Sequence, residues 1–248
     1  MNHEQQKRYS RNTTLPHIGY KGQEKLLSSK VLVVGAGGLG CPALLYLTAS
    51  GIGTLGIIDS DRVELSNLQR QILYESSDIG EYKCDSAKEA LHDLNPDINI
   101  ECHNIRLDKS NIDEIISGYD LIIDGTDNIE TRLLLNDSCY KHRLTLVSAA
   151  IHGFIGHLYV FKAFWGKDYP CYRCIFPAIE GQQMPDCSES GVMGSVAGVM
   201  GSMLATEAIK ELLDIEHSPS KNMVIYDALN TDFRKVTVKR NKGCICCG

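Results

Sequence analysis

Three short segments near the start of the chain carry groups suited to phosphate chemistry. A glycine loop runs from Gly35 to Gly40, an acidic segment from Asp59 to Asp61 follows it, and a polar segment from Ser66 to Gln71 comes next. A glycine loop can place backbone N–H groups against a phosphate at the N-terminus of a helix, but many unrelated enzymes use one. The loop together with the polar segment indicates nucleotide chemistry, not hydride transfer.

Several side chains could supply the charges that such chemistry needs. Arg70 and Lys83 can neutralise phosphate oxygens, Asp127 can hold a magnesium ion that bridges them, and Asp59 can accept hydrogen bonds from ribose hydroxyl groups. Ordinary alternatives exist: the glycines could only permit close packing, a lone arginine or lysine is usually a solvated charge, and Asp127 with Asn128 could form a turn or a helix cap. We interpret the joint placement of these residues as functional.

The elements that position these residues alternate between strand and helix. Val31–Val34 is an apolar, β-branched run typical of a buried parallel strand, and it leads into the glycine loop. Further predicted helices lie at 39–50, 83–94, 112–116 and 191–208, and further strands at 54–58, 98–102, 120–124, 144–149, 157–163, 223–226 and 236–239. Because parallel strands end at the same edge of a sheet, Asp59 and the turn 125–128 should face one crevice. The segment 177–190 has no clear periodicity and is predicted to be a mobile surface loop.

These patterns predict an α/β fold with a Rossmann-like, doubly wound, mostly parallel sheet and a C-terminal extension of mixed or antiparallel strands. The chain has 248 residues, which is enough for one large α/β core. We expect a single domain with an N-terminal arm (1–30), a nucleotide-binding core (31–150) and a C-terminal part (151–248).

Composition and charge exclude several classes of protein. The formal net charge of −6 and the lack of a basic cluster argue against nonspecific nucleic-acid binding. The uncharged stretch Ser190–Thr206 is too short to span a membrane, and Met1–Arg8 lacks the apolar segment of a secretion signal. We therefore expect a cytoplasmic protein, in which the cysteines do not form a disulfide framework.

Two CxxC pairs suggest a metal site. Cys171 and Cys174 form one pair, and Cys244 and Cys247 form the other. Four thiolates are a typical ligand set for tetrahedral zinc, although the long gap between the pairs is unusual for a zinc ribbon. Cys246 could compete as a ligand, but only Cys244 and Cys247 have two intervening residues. Free buried thiols and a thioredoxin-type redox site are the alternatives.

Motifs along nearly the whole chain resemble the ThiF/MoeB family, bacterial relatives of the adenylation domain of ubiquitin-activating enzymes. They are Arg8–Arg11, Gly35–Gly40, Asp59–Asp61, Ser66–Gln71, Lys83, Gly125–Asn128, Cys171–Cys174 and the C-terminal cysteines. The resemblance implies an ATP- and Mg²⁺-dependent enzyme that adenylates the C-terminal glycine of a ubiquitin-like sulfur-carrier protein and releases pyrophosphate. The carrier would be ThiS-like or MoaD-like, in thiamine or molybdopterin biosynthesis, and residues 151–248 would bind it and a zinc ion.

The resemblance also implies roles for individual residues. The implied nucleotide-binding set is Gly35, Gly37, Gly38, Gly40, Asp59, Asp61, Ser66, Asn67, Leu68, Gln69, Arg70, Lys83, Asp127 and Asn128. The implied catalytic set is Arg11, Arg70, Lys83, Asp127 and Cys187. In the family a cysteine at the place of Cys187 can attack the acyl adenylate or take part in sulfur transfer. The arginine matching Arg11 reaches the ATP site of the neighbouring subunit, which implies a homodimer, whereas an arginine at the surface is the alternative.

Other readings remain open at this stage. The helix predicted at 191–208 could form the centre of the dimer or belong to the core of its own chain. An NAD-dependent oxidoreductase would use Asp59 but would leave Asn67, Arg70, Lys83 and Asp127 without a role. A noncatalytic carrier-binding module would not need Arg11, Arg70, Lys83 and Asp127. We expect the donor of any persulfide to be a separate protein.

Overall fold

One sheet runs through the part of the chain that the structure describes, residues 1–177 and 191–248 of a computed structural model. Its strands β1 to β8 are Lys30–Val34, Thr54–Ile58, Asn99–His103, Leu121–Asp124, Thr145–His152, Ile155–Phe161, Asn222–Asp227 and Asp232–Thr237. The described helices α1 to α9 are His3–Arg8, Ser10–Thr13, Gly19–Ser28, Gly40–Ser50, Lys83–Leu94, Ile112–Ile116, Ile129–His142, Tyr172–Ile175 and Gly194–Leu212. Short 3-10 turns lie at Leu65–Asn67, Ser76–Asp78 and Ala163–Trp165.

The strand order confirms the predicted doubly wound fold. The order is β3-β2-β1-β4-β5-β6-β7-β8, with parallel pairing from β3 to β5 and antiparallel pairing from β5 to β8. From β1 the chain builds outward through β2 and β3, and it then returns to place β4 on the other side of β1. The strand order therefore reverses between β1 and β4, and in such sheets this is where ligands bind, beyond the carboxyl ends of the strands.

Helices cover both faces of the parallel strands, and β1 contributes alternate side chains to the two layers. Val31 and Val33 pack in the cluster that includes residues of α4, α5 and α9, whereas Leu32 and Val34 pack in the cluster that includes residues of α6 and α7. All four side chains are buried. Burial of each such side chain stabilises the fold by about 1.5–3 kcal/mol. Packing on both faces therefore holds β1, and with it the carboxyl end of this strand, in place.

Helix α9 begins and ends later than predicted, and it belongs to the core of its own chain. It packs on α4, where a Cβ atom added at Gly201 would lie 2.3 Å from Cγ of Pro42. Met200 and Leu204 are buried beside it. No helix among the described residues is long and apolar enough to cross a membrane.

Other differences from the predictions have local causes. Strand β8 covers Asp232–Thr237 and not 236–239, because every residue of this edge strand is exposed and no alternation of burial marks its bounds. Helix α7 was not predicted, because polar side chains occupy much of its inner face. Asn136, for example, is buried and accepts a hydrogen bond from the backbone N–H of Tyr172 at 2.7 Å.

Candidate active site

A cavity of about 590 Å³ opens where the strand order reverses, at the carboxyl ends of β1, β2 and β4. Ten of the residues predicted from the sequence line it: Gly35, Gly37, Gly38, Asp59, Asp61, Gln69, Arg70, Lys83, Asp127 and Asn128. The segments that are far apart in the sequence therefore meet in one chamber. Its volume is in the range typical of small-molecule sites.

The glycine loop that follows β1 requires glycine at its first and last positions. Gly35 has φ of +89°, and a Cβ atom there would lie 3.0 Å from the backbone of Gly125. A Cβ atom at Gly40 would lie only 1.9 Å from the carbonyl oxygen of Gly35, so α4 could not begin so close to the strand. The loop thus turns tightly and directs the start of α4, with its free N–H groups, toward the cavity.

Asp59 braces this loop from β2. One carboxylate oxygen accepts a hydrogen bond from the backbone N–H of Ala36 at 2.8 Å, and the other accepts from the N–H of Asp61 at 2.9 Å. On the other side of the loop, the hydroxyl of Tyr74 donates to the carbonyl of Ala36 at 2.8 Å. Burial raises the pKa of Asp59, and the charge of Lys83 opposes this shift. The carboxylate therefore ties the acidic segment to the glycine loop.

Lys83 and Asp61 form an ion pair at the edge of the cavity. The Nζ atom lies 2.9 Å from a carboxylate oxygen, and the side chains are 6% and 67% exposed, respectively. Backbone hydrogen bonds from Lys83 to Asp61 and from Val63 to Glu81 align the two segments side by side, at 3.0 and 2.9 Å. The lysine is thus a buried cation at the cavity wall, and its partner is a solvated carboxylate that a ligand can displace.

Arg70 and Asp127 line the cavity, and their charged groups make few contacts with other described residues. The Arg70 guanidinium donates one hydrogen bond to the carbonyl of Ser66, at 3.1 Å. The Asp127 carboxylate is exposed, and it makes no hydrogen bond or ion pair with other described residues. Asn128 caps α7 by accepting a hydrogen bond from the N–H of Thr131 at 2.9 Å. Asp127 consequently offers free oxygens suited to a hard cation such as Mg²⁺.

The remaining predicted nucleotide-binding residues do not line the cavity. Gly40 lies behind the loop at the start of α4, and Leu68 packs against the core. Ser66 and Asn67 belong to the turn before Arg70, where the Asn67 side chain accepts a hydrogen bond from the N–H of Glu64 at 3.3 Å. In the structure, this turn sets the direction from which Arg70 enters the cavity.

Arg11 lies at the opposite end of α4 from the glycine loop. Tyr9, two residues before it, packs against Gly51 at the C-terminus of α4 and receives a hydrogen bond from Asn95 at 2.8 Å. Since α4 has 11 residues, its two ends are about 16 Å apart. Arg11 is exposed and hydrogen-bonds to no other described residue, so it is separated from the cavity of its own chain.

Several residues that line the cavity were not predicted from the sequence. Ile105, Arg106 and Leu107 follow β3 and line one side, and they form no motif that a single sequence would reveal. Arg132 is buried and donates to the carbonyls of Thr126 and Ala149, which joins the ends of β4 and β5. Its spacing on α7 could have indicated an inward arginine only if the helix itself had been predicted.

The two CxxC pairs form a second cluster. The Sγ atoms of Cys171, Cys174, Cys244 and Cys247 all lie within 4.8 Å of one another. A hydrogen bond from the thiol of Cys246 lowers the pKa of Cys171 to about 5, which favours the thiolate that binds metals. The cluster joins the segment around α8 to the C-terminal segment, as the sequence pattern predicted.

Cys246 and Cys187 stand apart from this group. Cys246 lies outside the four converging thiols, although it hydrogen-bonds to Cys171, and its Sγ atom also accepts from the side-chain amide of Asn136 at 3.4 Å. Cys187, like most of the predicted loop 177–190, lies outside the described residues. Its catalytic role stays a prediction.

Comparison with known proteins agrees with this geometry. A Thermus thermophilus protein named sulfur carrier protein adenylyltransferase is 45% identical over 244 residues, which cover 97% of this chain and 90% of that protein. A Salmonella typhimurium molybdopterin-synthase adenylyltransferase is 42% identical over 241 residues, which cover 97% and 96% of the two chains. A crystal structure of E. coli MccB with MccA shares the fold, with a TM-score of 0.83 at 23% identity, over 97% of this chain and 74% of that one. The model of the ThiF family matches residues 9–246, and this chain therefore belongs to the ThiF family.

Proposed function

We propose that this protein uses ATP and Mg²⁺ to adenylate the C-terminal glycine of a ubiquitin-like sulfur-carrier protein. The observation that carries the proposal is the meeting, in one cavity, of the glycine loop, the cations of Arg70 and Lys83, and the exposed carboxylate of Asp127. The names of these two relatives support the same reaction. The relative named for molybdopterin synthase favours a MoaD-like carrier, and the Thermus relative, whose name specifies only a sulfur carrier, leaves a ThiS-like carrier as the second candidate.

The proposed reaction needs positive charge close to the α-phosphate of ATP. A carboxylate oxygen of the carrier forms a bond to the α-phosphorus of ATP, and the bond from that phosphorus to the oxygen bridging to the β-phosphate breaks as pyrophosphate leaves. A negative nucleophile thus approaches a negative phosphate, and charge also grows on the leaving group. Lys83 and Arg70, which both line the cavity, would stabilise both, and the backbone N–H groups of the glycine loop would bind the phosphates.

The donors at the cavity also suit a magnesium ion. Mg²⁺ prefers carboxylate oxygens and water, and Asp127 and Asp61 both present exposed carboxylates there. Asp127 would hold the ion, and Asp61 would assist once ligand binding weakens its pairing with Lys83. When bound, the ion neutralises phosphate oxygens.

The four-cysteine cluster suits zinc, and its proposed role is structural. Four thiolates close the coordination sphere and leave no open position for a substrate. The site would tie the C-terminal segment to the residues that follow β6. We infer that zinc stabilises this part of the fold.

Replacement of Cys171 with serine should remove the zinc. We expect metal analysis to find about one zinc ion per wild-type chain and almost none in the variant, and the Tm to fall by roughly 10 °C because metal binding is coupled to folding. The matched control is Cys246→Ser, which should keep the metal because Cys246 lies outside the group of four. Equal zinc content in the wild type and in Cys171→Ser would contradict the assignment.

The carrier can be identified by intact-mass measurement. The purified protein is incubated with ATP, Mg²⁺ and either a MoaD-like or a ThiS-like carrier, and we expect one of them to gain the mass of AMP. A covalent conjugate that disappears in Cys187→Ala would support the proposed role of that thiol. If neither carrier changes mass, and calorimetry detects binding of NAD but not of ATP, the proposed function is wrong.

We further propose that the active protein is a homodimer in which Arg11 completes the site of the partner subunit. The position of Arg11 at the far end of α4 supports this, because the side chain is too far from the cavity of its own chain. The substrate of the partner's site would then meet a third cation in addition to Arg70 and Lys83.

A further inference from the structure

Gln71 is a buried side chain in the wall of the cavity with an unused hydrogen-bonding group. It is only 3% exposed, yet its Oε1 atom has no hydrogen-bond partner among the described residues. The backbone of Gln71 is fully engaged, since its N–H donates to Asn67 at 2.9 Å and its carbonyl accepts from Tyr74 at 3.2 Å. Of the polar atoms of Gln71, only Oε1 and Nε2 of the carboxamide are therefore left without a hydrogen bond to another described residue.

The carboxamide lies against the part of the glycine loop that faces the cavity. Its Nε2 atom would be 3.6 Å from a Cβ atom added at Gly37, and Gly37 lines the cavity. The side chain of the preceding residue, Arg70, lies beside Gly38, with Cγ 3.3 Å from the position of an added Cβ atom. Arg70 and Gln71 thus flank the loop at consecutive glycines.

A buried amide without a partner costs free energy in the unliganded protein. An apolar side chain of similar length, such as methionine, would fill the same space without that cost. A core role alone therefore does not account for glutamine here. Nε2 suits a phosphate, because phosphate oxygens only accept hydrogen bonds and Nε2 can donate two. Oε1 only accepts, so it would pair with a donor such as a water molecule that enters with the ligand.

We propose that Gln71 binds the phosphate that the glycine loop holds, with Nε2 donating to a phosphate oxygen. This inference rests on the proposed function, because the ligand is the triphosphate of ATP. Arg70 would supply charge on one side of the loop, and Gln71 would supply a neutral donor that fixes the orientation of the phosphate. Free rotation about the last torsion of the side chain allows the amide to turn toward the ligand.

Calorimetry with ATP and Mg²⁺ on Gln71→Met tests the inference. We expect the Kd for ATP to rise about tenfold or more, because hydrogen bonds to charged groups are among the strongest. The Kd for adenosine should not change, since it carries no phosphate. In the absence of nucleotide, the Tm should rise by a few degrees, because the unpartnered amide is gone.

Gln23→Met is the matched control, since Gln23 is also buried but both ends of its amide are paired. It donates to the carbonyl of Ser50 at 2.8 Å and accepts from Asn12 at 3.1 Å. This variant should lose stability and keep its affinity for ATP. Gln71→Met should weaken ATP binding and raise the Tm, whereas Gln23→Met should lower the Tm and leave ATP binding unchanged. This difference distinguishes a ligand-binding amide from a structural one.

A second substitution keeps the inference testable if the Gln71→Met protein does not fold. Gln71→Glu keeps the shape of the side chain, replaces the donor with a carboxylate that repels phosphate, and should weaken ATP binding more than methionine does. If folded Gln71→Met binds ATP with the wild-type Kd, or if adenosine and ATP weaken equally, the inference is wrong while the proposed function stands. If the wild-type protein does not bind ATP, both fall.

Discussion

Lys83→Met should lower carrier-dependent exchange of pyrophosphate into ATP by about 10²–10³-fold, the loss expected when a stabilising charge leaves an active site. Methionine has nearly the same length and apolar stem but no charge. The lysine is almost fully buried at the cavity wall, so water cannot replace its charge there. The effect should fall mainly on kcat, because the negative charge that Lys83 neutralises grows during the reaction.

The fold should tolerate this change. Asp61, the partner of Lys83, is 67% exposed and stays hydrated after the lysine is lost, so no buried charge is left unpaired. Thermal unfolding should therefore show a Tm close to that of the wild type. Lys88→Met is the control, because Lys88 is exposed on the same helix and does not line the cavity. A folded Lys83→Met protein with full exchange activity would refute the role of Lys83.

Arg11→Ala should abolish adenylation while leaving folding and dimerisation intact. Arg11 is exposed and hydrogen-bonds to no other described residue of its own chain, so its loss should change the free energy of unfolding by less than about 0.5 kcal/mol. The same arginine would contact the negative phosphates in the partner's site. We expect pyrophosphate exchange to fall by about 100-fold or more. Lys7→Ala removes one positive charge from the same N-terminal arm and should keep full activity.

A mixed dimer distinguishes a contribution across the interface from one within the chain. Subunits carrying Arg11→Ala and Lys83→Met are co-expressed with different affinity tags, and the heterodimer is purified through both. If Arg11 acts on the partner's site, one of the two sites has both residues, and about half of the wild-type activity returns. If Arg11 acts within its own chain, each site lacks one residue and the mixed dimer is inactive. A monomer on gel filtration would also contradict the proposal.

Several elements in the first half of the chain were predicted closely because their signals are local. Strand Thr54–Ile58 and helix Lys83–Leu94 have the predicted bounds, and Gly51, which directly follows the helix predicted at 39–50, has the left-handed conformation with φ of 84°. A glycine with positive φ and an apolar run of β-branched residues depend on few neighbours. The bounds of the last strand, β8, differ from the prediction because an exposed edge strand carries little periodic signal.

The sequence by itself determined the family, the α/β class, the glycine loop and the two CxxC pairs, because each depends on residue types at short, fixed spacings. Only the tertiary structure decided which of these residues share a chamber. It brought Lys83 against Asp61, left the carboxylate of Asp127 exposed at the cavity, placed Asn67 in a turn beside the cavity and separated Arg11 from the cavity by the length of a helix. It also showed that the buried amide of Gln71 has no hydrogen-bond partner for Oε1 among the described residues. Such contacts depend on how strands and helices that are far apart in the sequence pack together. The short spacings within a motif do not give the distances between motifs in the fold.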